Sequence, residues 1–184
     1  MHIKRFYQHE IPDLDDIVMV KITREEEFGY YGDLIEYEKL EGFLPLVELV
    51  RTKYAKKHLL KPGQLIAMQI NKIEPEKNLF TLTRKRVTDE EDESKKNSYK
   101  ICEDINKLIN EYYIMYLSYQ KKEDHPIIDI NEFMGKTIWI LYQNLESDFN
   151  KIYNHILKSP TCILPISIFD KNLINIIDDD VSGR

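Results

Sequence analysis

The side chains able to carry chemistry fall into two groups, one scattered and one clustered. His2, His9, His58, His125 and His155 lie in different stretches with no shared spacing. They offer neither a metal set nor an acid–base pair, and each reads as a surface or satisfied histidine. Carboxylates are plentiful but run together, as in Glu25-Glu26-Glu27, the pattern of a charged turn and not of a pair tuned for proton transfer. The six glycines are too dispersed for a phosphate-cradling loop, and neither Gly-x-Ser-x-Gly nor His-Glu-x-x-His occurs. No catalytic residue, metal or cofactor is expected; a non-enzymatic binding module is. The clustered group points that way. Arg51, Lys53, Lys56, Lys57, His58 and Lys61 fall within eleven residues that contain no acid, a stretch suited to a nucleic-acid backbone or an acidic partner, with a plain solvated loop as the bland alternative. Phe28, Tyr30 and Tyr31 add aromatic faces of the kind on which unpaired bases stack, against which core packing must be weighed.

The elements that would position these residues change character once along the chain. Up to about residue 88 the apolar residues come in short runs, 17–22, 28–34, 42–44, 65–73 and 79–83. In the first, Ile17, Met19 and Lys21 alternate with Val18, Val20 and Ile22, which is the period of a strand. Lys61-Pro62-Gly63 and Glu74-Pro75-Glu76-Lys77-Asn78 put turn chemistry between runs. Five short strands predict a small OB-type β-barrel. Alternation forbids Tyr30 and Tyr31 from both facing inward. After the charged run Asp89-Glu90-Glu91-Asp92-Glu93-Ser94, which reads as a linker or helix start, the period becomes helical. Ile101, Ile105, Leu108, Ile109, Tyr112, Met115, Tyr116 and Tyr119 recur at three and four, so one long helix with one apolar face is expected over 95–120. Its tyrosines read as packing and not as stacking platforms. Further helices are expected over 130–141, capped by Asp129, and over 148–158, stopped by Ser159-Pro160, with a loop and short helix over 163–177. The organisation expected is a barrel over 1–88 followed by an all-α domain over 89–184.

Composition agrees. With 42% hydrophobic residues against 32% charged, the chain can build real cores. The net charge of −6 hides an asymmetry: 15 basic against 14 acidic residues in 1–88, and 11 against 18 in 89–184. A phosphate backbone would therefore be met by the first part. Cys102 and Cys162 suggest neither a disulfide framework nor a zinc site. No stretch approaches the roughly 20 apolar residues of a membrane span, so a soluble, cytoplasmic protein with no membrane partner is expected.

Arg5-Phe6-Tyr7-Gln8-His9, Asp16-Ile17-Val18-Met19-Val20, Glu36-Tyr37, Glu41-Gly42 and Arg84-Lys85-Arg86-Val87 resemble, in order, the start of the alpha subunit of eukaryotic translation initiation factor 2, an S1 barrel followed by a helical domain. Ile138-Trp139 is the local match in the helical part. The resemblance implies that the partners are the initiation complex and the small ribosomal subunit, with RNA near initiator tRNA or mRNA. Arg51, Lys53, Lys56 and Lys57 would then meet RNA while Phe28 or Tyr31 offers a stacking surface. That family's third domain, which docks on the gamma subunit, has no counterpart in the residues read. Two departures bear on regulation. The family's regulatory serine follows a Glu-Leu pair; here Glu48-Leu49 is followed by Val50, which has no hydroxyl to phosphorylate. The family's kinase-docking segment corresponds to Lys77, Asn78, Leu79, Phe80 and Thr81, which keeps the lysine and loses a tyrosine and an aspartate. An alpha-like subunit deaf to stress kinases, viral or otherwise, is the first reading. The alternatives are a viral pseudosubstrate decoy for those kinases and an S1 RNA-binding adaptor.

Overall fold

The computed structural model describes residues 5–38, 40–49, 60–74, 76, 79–123, 127–145 and 148–159. Five strands, β1 (Ile17–Glu26), β2 (Gly29–Leu34), β3 (Glu41–Pro45), β4 (Leu65–Glu74) and β5 (Leu79–Thr83), close in the order β1-β2-β3-β5-β4, with a one-turn helix α1 (Leu46–Leu49) after β3. All pairings are antiparallel except β3 with β5. This is the five-stranded OB-type barrel that the period-2 runs predict. Its interior takes Val18, Val20, Ile22, Tyr30, Leu34, Leu44, Met68, Ile70, Phe80 and Leu82, all buried. Burying each such side chain stabilises by about 1.5–3 kcal/mol. Gly42 lies among them because a Cβ there would come within 2.6 Å of Leu82 Cδ1 and 2.9 Å of Leu34 Cδ1.

Two β-bulges interrupt the alternation. The β1–β2 register shifts between Ile22 and Arg24, and the β4–β5 register shifts between Ile70 and Lys72. Regular alternation would send Arg24 inward after Val20 and Ile22, and Lys72 inward after Met68 and Ile70. The extra residue in each strand reverses the phase and turns both cations outward.

Three of the segments that carried the family resemblance, far apart in sequence, meet at one point. Glu36 is 1% exposed. Its Oε2 accepts the Met19 N–H at 2.7 Å, and its Oε1 accepts the Tyr7 hydroxyl at 2.9 Å and the Lys95 ammonium at 2.8 Å. The Phe6 N–H donates to the Glu36 carbonyl at 2.9 Å. Tyr7 packs against the His9 and Tyr37 rings at 5.2 and 5.3 Å, and Phe6 stacks on Tyr99 at 5.6 Å. One carboxylate thereby ties the segment before β1, the strand β1 itself and the following helix together.

That helix, α2 (Asp89–Glu123), opens on a reciprocal cap. Thr88 Oγ1 accepts the Glu91 N–H, and Glu91 Oε2 accepts the Thr88 N–H at 2.8 Å. The acidic run is thus a helix start. Asp92 accepts the Ala67 N–H of β4 at 3.2 Å, and Tyr99 packs with Ile17, Met19, Ile35, Ala67 and Val87. These contacts explain why the compact unit containing the barrel runs over Lys4–Lys100 and takes in the first turns of α2.

The second unit, with its internal core, comprises the rest of α2, α3 (Ile130–Lys136), α4 (Ile138–Asn144) and α5 (Phe149–Lys158). Ile105, Ile109, Tyr112, Tyr113 and Tyr116 of α2 pack with Phe133, Met134, Ile138, Trp139, Ile152 and Ile156. The buried tyrosines keep hydrogen bonds: Tyr113 donates to the Ile128 carbonyl at 2.9 Å, and Tyr116 Oη accepts the Ile128 N–H at 3.3 Å. Asp129 caps α3 by accepting the Glu132 N–H, and Asp148 caps α5 by accepting from Asn150 and Lys151. A single helix over 130–141 is not what forms. Thr137 leaves helical geometry, which splits the run into α3 and α4, and its hydroxyl donates to the Phe133 carbonyl at 2.7 Å. Among the described residues no helix is long and apolar enough to cross a membrane, and the expected segment 163–177 lies outside them.

Candidate nucleic-acid interface

The strand registers line up one outward-facing residue from each strand. Arg24 of β1 is opposite Tyr31 of β2, Tyr31 opposite Phe43 of β3, Phe43 opposite Thr81 of β5, and Thr81 opposite Lys72 of β4. A cation, two aromatics, a hydroxyl and a second cation therefore form a single row round the outside of the barrel. Tyr31 and Phe43 are half-buried with ring centroids 4.8 Å apart. The Arg24 guanidinium carbon lies 3.8 Å from the Tyr31 ring centroid. Aromatic rings backed by cations on a barrel face are what a base and its phosphate engage.

Local structure seats each ring. Tyr30, next to Tyr31, is fully buried, its hydroxyl donating to Glu25 at 3.3 Å, so alternation leaves Tyr31 facing out. Phe43 lies over Gly29, where a Cβ would come within 2.8 Å of the Phe43 ring and 2.2 Å of the Leu44 carbonyl oxygen. A side chain at 29 would tilt that ring away. Phe28 is 73% exposed at the β1–β2 hairpin. Its carbonyl accepts the Leu46 N–H at 3.0 Å, which sets it beside the exposed Leu46 and Val47 of α1. Two residues separate Phe28 from Tyr31, so the apolar strip extends about 10 Å along the strand.

The charge around the row is mixed. The next outward row reads Lys21, Asp33, Glu41, Leu79 and Glu74 in register. Lys72 pairs with Glu74 at 2.7 Å, and Arg24 pairs with both Glu26 and Glu41. The two hydrogen-bonded carboxylates, Glu41 foremost, raise the Arg24 pKa further above its usual value. Neither cation on the face stands apart from a carboxylate.

Of the residues singled out from sequence, Phe28 and Tyr31 are described and both are on this surface. Arg51, Lys53, Lys56, Lys57, Val50, Lys77 and Asn78 lie outside the described residues. Leu79 and Thr81 face outward, but Phe80 is 2% exposed in the barrel core and out of reach of any partner of the folded chain. Sequence reasoning missed Arg24, Lys72, Phe43 and Gly29. An open depression of about 410 Å³ is lined by Ile17, Glu90, Glu91, Ser94, Lys95 and Ser98, and its lysine is already paired with Glu36. Among the described residues no group of three or more His, Cys, Asp or Glu is placed to hold a metal.

No protein-family model matches the chain. Among curated proteins it is 26% identical over 144 residues to eukaryotic translation initiation factor 2 subunit 1 of Plasmodium falciparum, covering 76% of this chain and 40% of that one. It is 25% identical over 170 residues to eukaryotic translation initiation factor 2 subunit alpha of Arabidopsis thaliana, covering 90% and 44%. The chain thus spans about two fifths of the length of these relatives. Among solved structures, the intact alpha subunit of the archaeal factor from Pyrococcus abyssi superposes with a TM-score of 0.62 at 16% identity over 93% of this chain and 61% of that one. The alpha subunit in the aDim2p–rRNA complex of Pyrococcus horikoshii gives 0.59 at 17% over 95% and 97%. The order of a closed five-stranded barrel and then helices is common to sequence expectation, structure and these neighbours. In sequence the chain is similar to the alpha subunit of eukaryotic translation initiation factor 2, and its fold is similar to that of the archaeal alpha subunit.

Proposed function

We propose that this chain acts in translation initiation as an alpha-subunit-like S1 module, meeting RNA at the small ribosomal subunit through the outer row of its barrel. The observation that carries the reading is the register-aligned row Arg24–Tyr31–Phe43–Thr81–Lys72, two aromatic faces bracketed by cations. The mechanism is non-covalent. Bases stack on Tyr31 and Phe43, with Phe28 extending the strip, while phosphates exchange for carboxylates at Arg24 and Lys72. The acid-free segment containing Arg51, Lys53, Lys56 and Lys57 supplies the remaining positive charge. The Pyrococcus horikoshii neighbour, found in a complex with rRNA, supports an RNA-facing role. With carboxylates among the cations, affinity from this face alone is modest and strongly salt-dependent.

The reading includes insensitivity to phosphorylation at the regulatory position, because Val50 has no acceptor oxygen. It also places the protein in the cytoplasm, where initiation runs. The kinase-decoy alternative draws less support, since Phe80, one of the docking equivalents, is committed to the core. The test is co-sedimentation of the chain with purified small ribosomal subunits. The wild type is expected in the pellet and the Tyr31→Ala/Phe43→Ala double variant in the supernatant. Equal pelleting of the two, or none by either, refutes the proposal.

A further inference from the structure

The aromatic face is already occupied by a side chain of the protein itself. Arg24 lies over Tyr31 with its guanidinium carbon 3.8 Å from the ring centroid. Its Nη1 and Nη2 donate to the two oxygens of Glu41, the second at 3.2 Å, and its Nε donates to Glu26 at 3.1 Å. Glu41 is on β3 and Glu26 on β1, so carboxylates from the strands on either side of β2 hold the guanidinium above the β2 ring. A planar fork with donors on several edges is what such a clamp requires. A base stacking on Tyr31 needs the area the guanidinium covers, and a phosphate binding Arg24 needs the donors the carboxylates hold.

We propose that Glu41, with Glu26, pins Arg24 on Tyr31 as an intramolecular occupant that RNA must displace, so that Glu41 limits the affinity of the face instead of contributing to it. This rests on the RNA reading above. All three side chains are partly exposed, at 45% for Arg24, 39% for Glu41 and 53% for Glu26. Exposed ion pairs are weak, so the clamp acts as a brake that RNA can release. Once Arg24 swings off the ring, the same guanidinium is free to bind phosphate, which couples exposure of the stacking surface to delivery of a cation.

The experiment is a fluorescence-anisotropy titration of the full chain with a labelled single-stranded oligouridylate at two ionic strengths. It compares wild type, Glu41→Gln, Glu26→Gln, Asp33→Asn and Tyr31→Ala. Asp33 is the register partner of Glu41 and is not one of the carboxylates that hold Arg24. Its substitution removes the same charge from the same face, so it controls for simple loss of repulsion. The expected result is a gain of about two- to five-fold for Glu41→Gln, the range set by a weak exposed pair. Glu26→Gln should gain less, Asp33→Asn should gain less than Glu41→Gln, and Tyr31→Ala should bind more weakly. If Tyr31→Ala weakens binding but Glu41→Gln gains no more than Asp33→Asn, the clamp is wrong and the RNA interface stands. If wild type does not bind, or Tyr31→Ala binds as well as wild type, the interface reading fails and the clamp fails with it.

Discussion

Replacing Glu36 by Gln tests whether one buried carboxylate holds the barrel unit together. The carboxylate accepts three donors, Met19 N–H at 2.7 Å, Tyr7 O–H at 2.9 Å and Lys95 ammonium at 2.8 Å. A glutamine is almost the same size but has only one acceptor oxygen. Whichever way its amide is turned, an –NH2 group faces a donor, either the Met19 amide or the Tyr7–Lys95 pair. At least one strong hydrogen bond is lost, and the Lys95 ammonium, whose side chain is 16% exposed, loses its countercharge. A hydrogen bond to a charged group contributes about 1.5–3 kcal/mol, and breaking a buried ion pair costs about 3–5 kcal/mol. Since Lys95 keeps some contact with water, a loss of about 3 kcal/mol is expected, a large part of a domain stability of roughly 5–15 kcal/mol. Urea unfolding followed by circular dichroism measures it. The double variant Glu36→Gln/Lys95→Met should lose less than the two single losses added together, because the stranded charge has been removed. A loss below about 1 kcal/mol for Glu36→Gln, or strict additivity, refutes the reasoning.

Three further outcomes follow from the packing and capping. Gly42→Ala places a Cβ within 2.6 Å of Leu82 and 2.9 Å of Leu34, and should lower the urea midpoint by an amount equivalent to about 1–3 kcal/mol. Asp148→Ala removes the acceptor for the Asn150 and Lys151 N–H groups and should cost about 1 kcal/mol, read as a lower thermal midpoint of the helical unit. Burial first, and then the neighbouring Glu25, push the Tyr30 hydroxyl above its ordinary value of 10.0. The folded state therefore holds this proton more tightly than the unfolded state does. The associated stability is intact below pH 10 and falls as pH rises through the folded value. Urea midpoints at alkaline pH should drop for wild type, and the drop should be shallower for Tyr30→Phe.

Strands were legible where short apolar runs alternate for several residues. The runs 17–22, 65–73 and 79–83 mark β1, β4 and β5 because Val18, Val20, Met68, Ile70, Phe80 and Leu82 face one interior. Asp129 was legible as a cap because a short acceptor before an apolar period has one obvious use, whereas Asp148 was legible only as the start of its helix and its capping bonds come from the structure. Alternation made it legible that Tyr30 and Tyr31 cannot both face inward, but neither which of them turns outward nor the rest of the row was legible. A bulge adds one residue without a signature in composition, and two bulges are what turn Arg24 and Lys72 outward. Phe43, between Gly42 and Leu44, looked like part of a core run; its outward direction follows only from register with Tyr31. Thr137 carried no visible break, since a threonine whose hydroxyl bonds the carbonyl four residues back also fits a continuous helix. Glu36-Tyr37 was noticed as a family motif, whereas its role, gathering Tyr7, Met19 and Lys95, depends on contacts 17 to 59 residues away in sequence.

The central claim is that RNA meets the outer row of the barrel, and side-chain-resolved NMR of the labelled chain titrated with single-stranded RNA tests it most directly. Saturable, salt-sensitive shifts are expected at Arg24, Tyr31, Phe43 and Thr81, with Ile105, Phe133 and Ile152 of the helical core unmoved. Shifts confined to the helical unit, or a barrel row that stays silent while RNA binds, would contradict it.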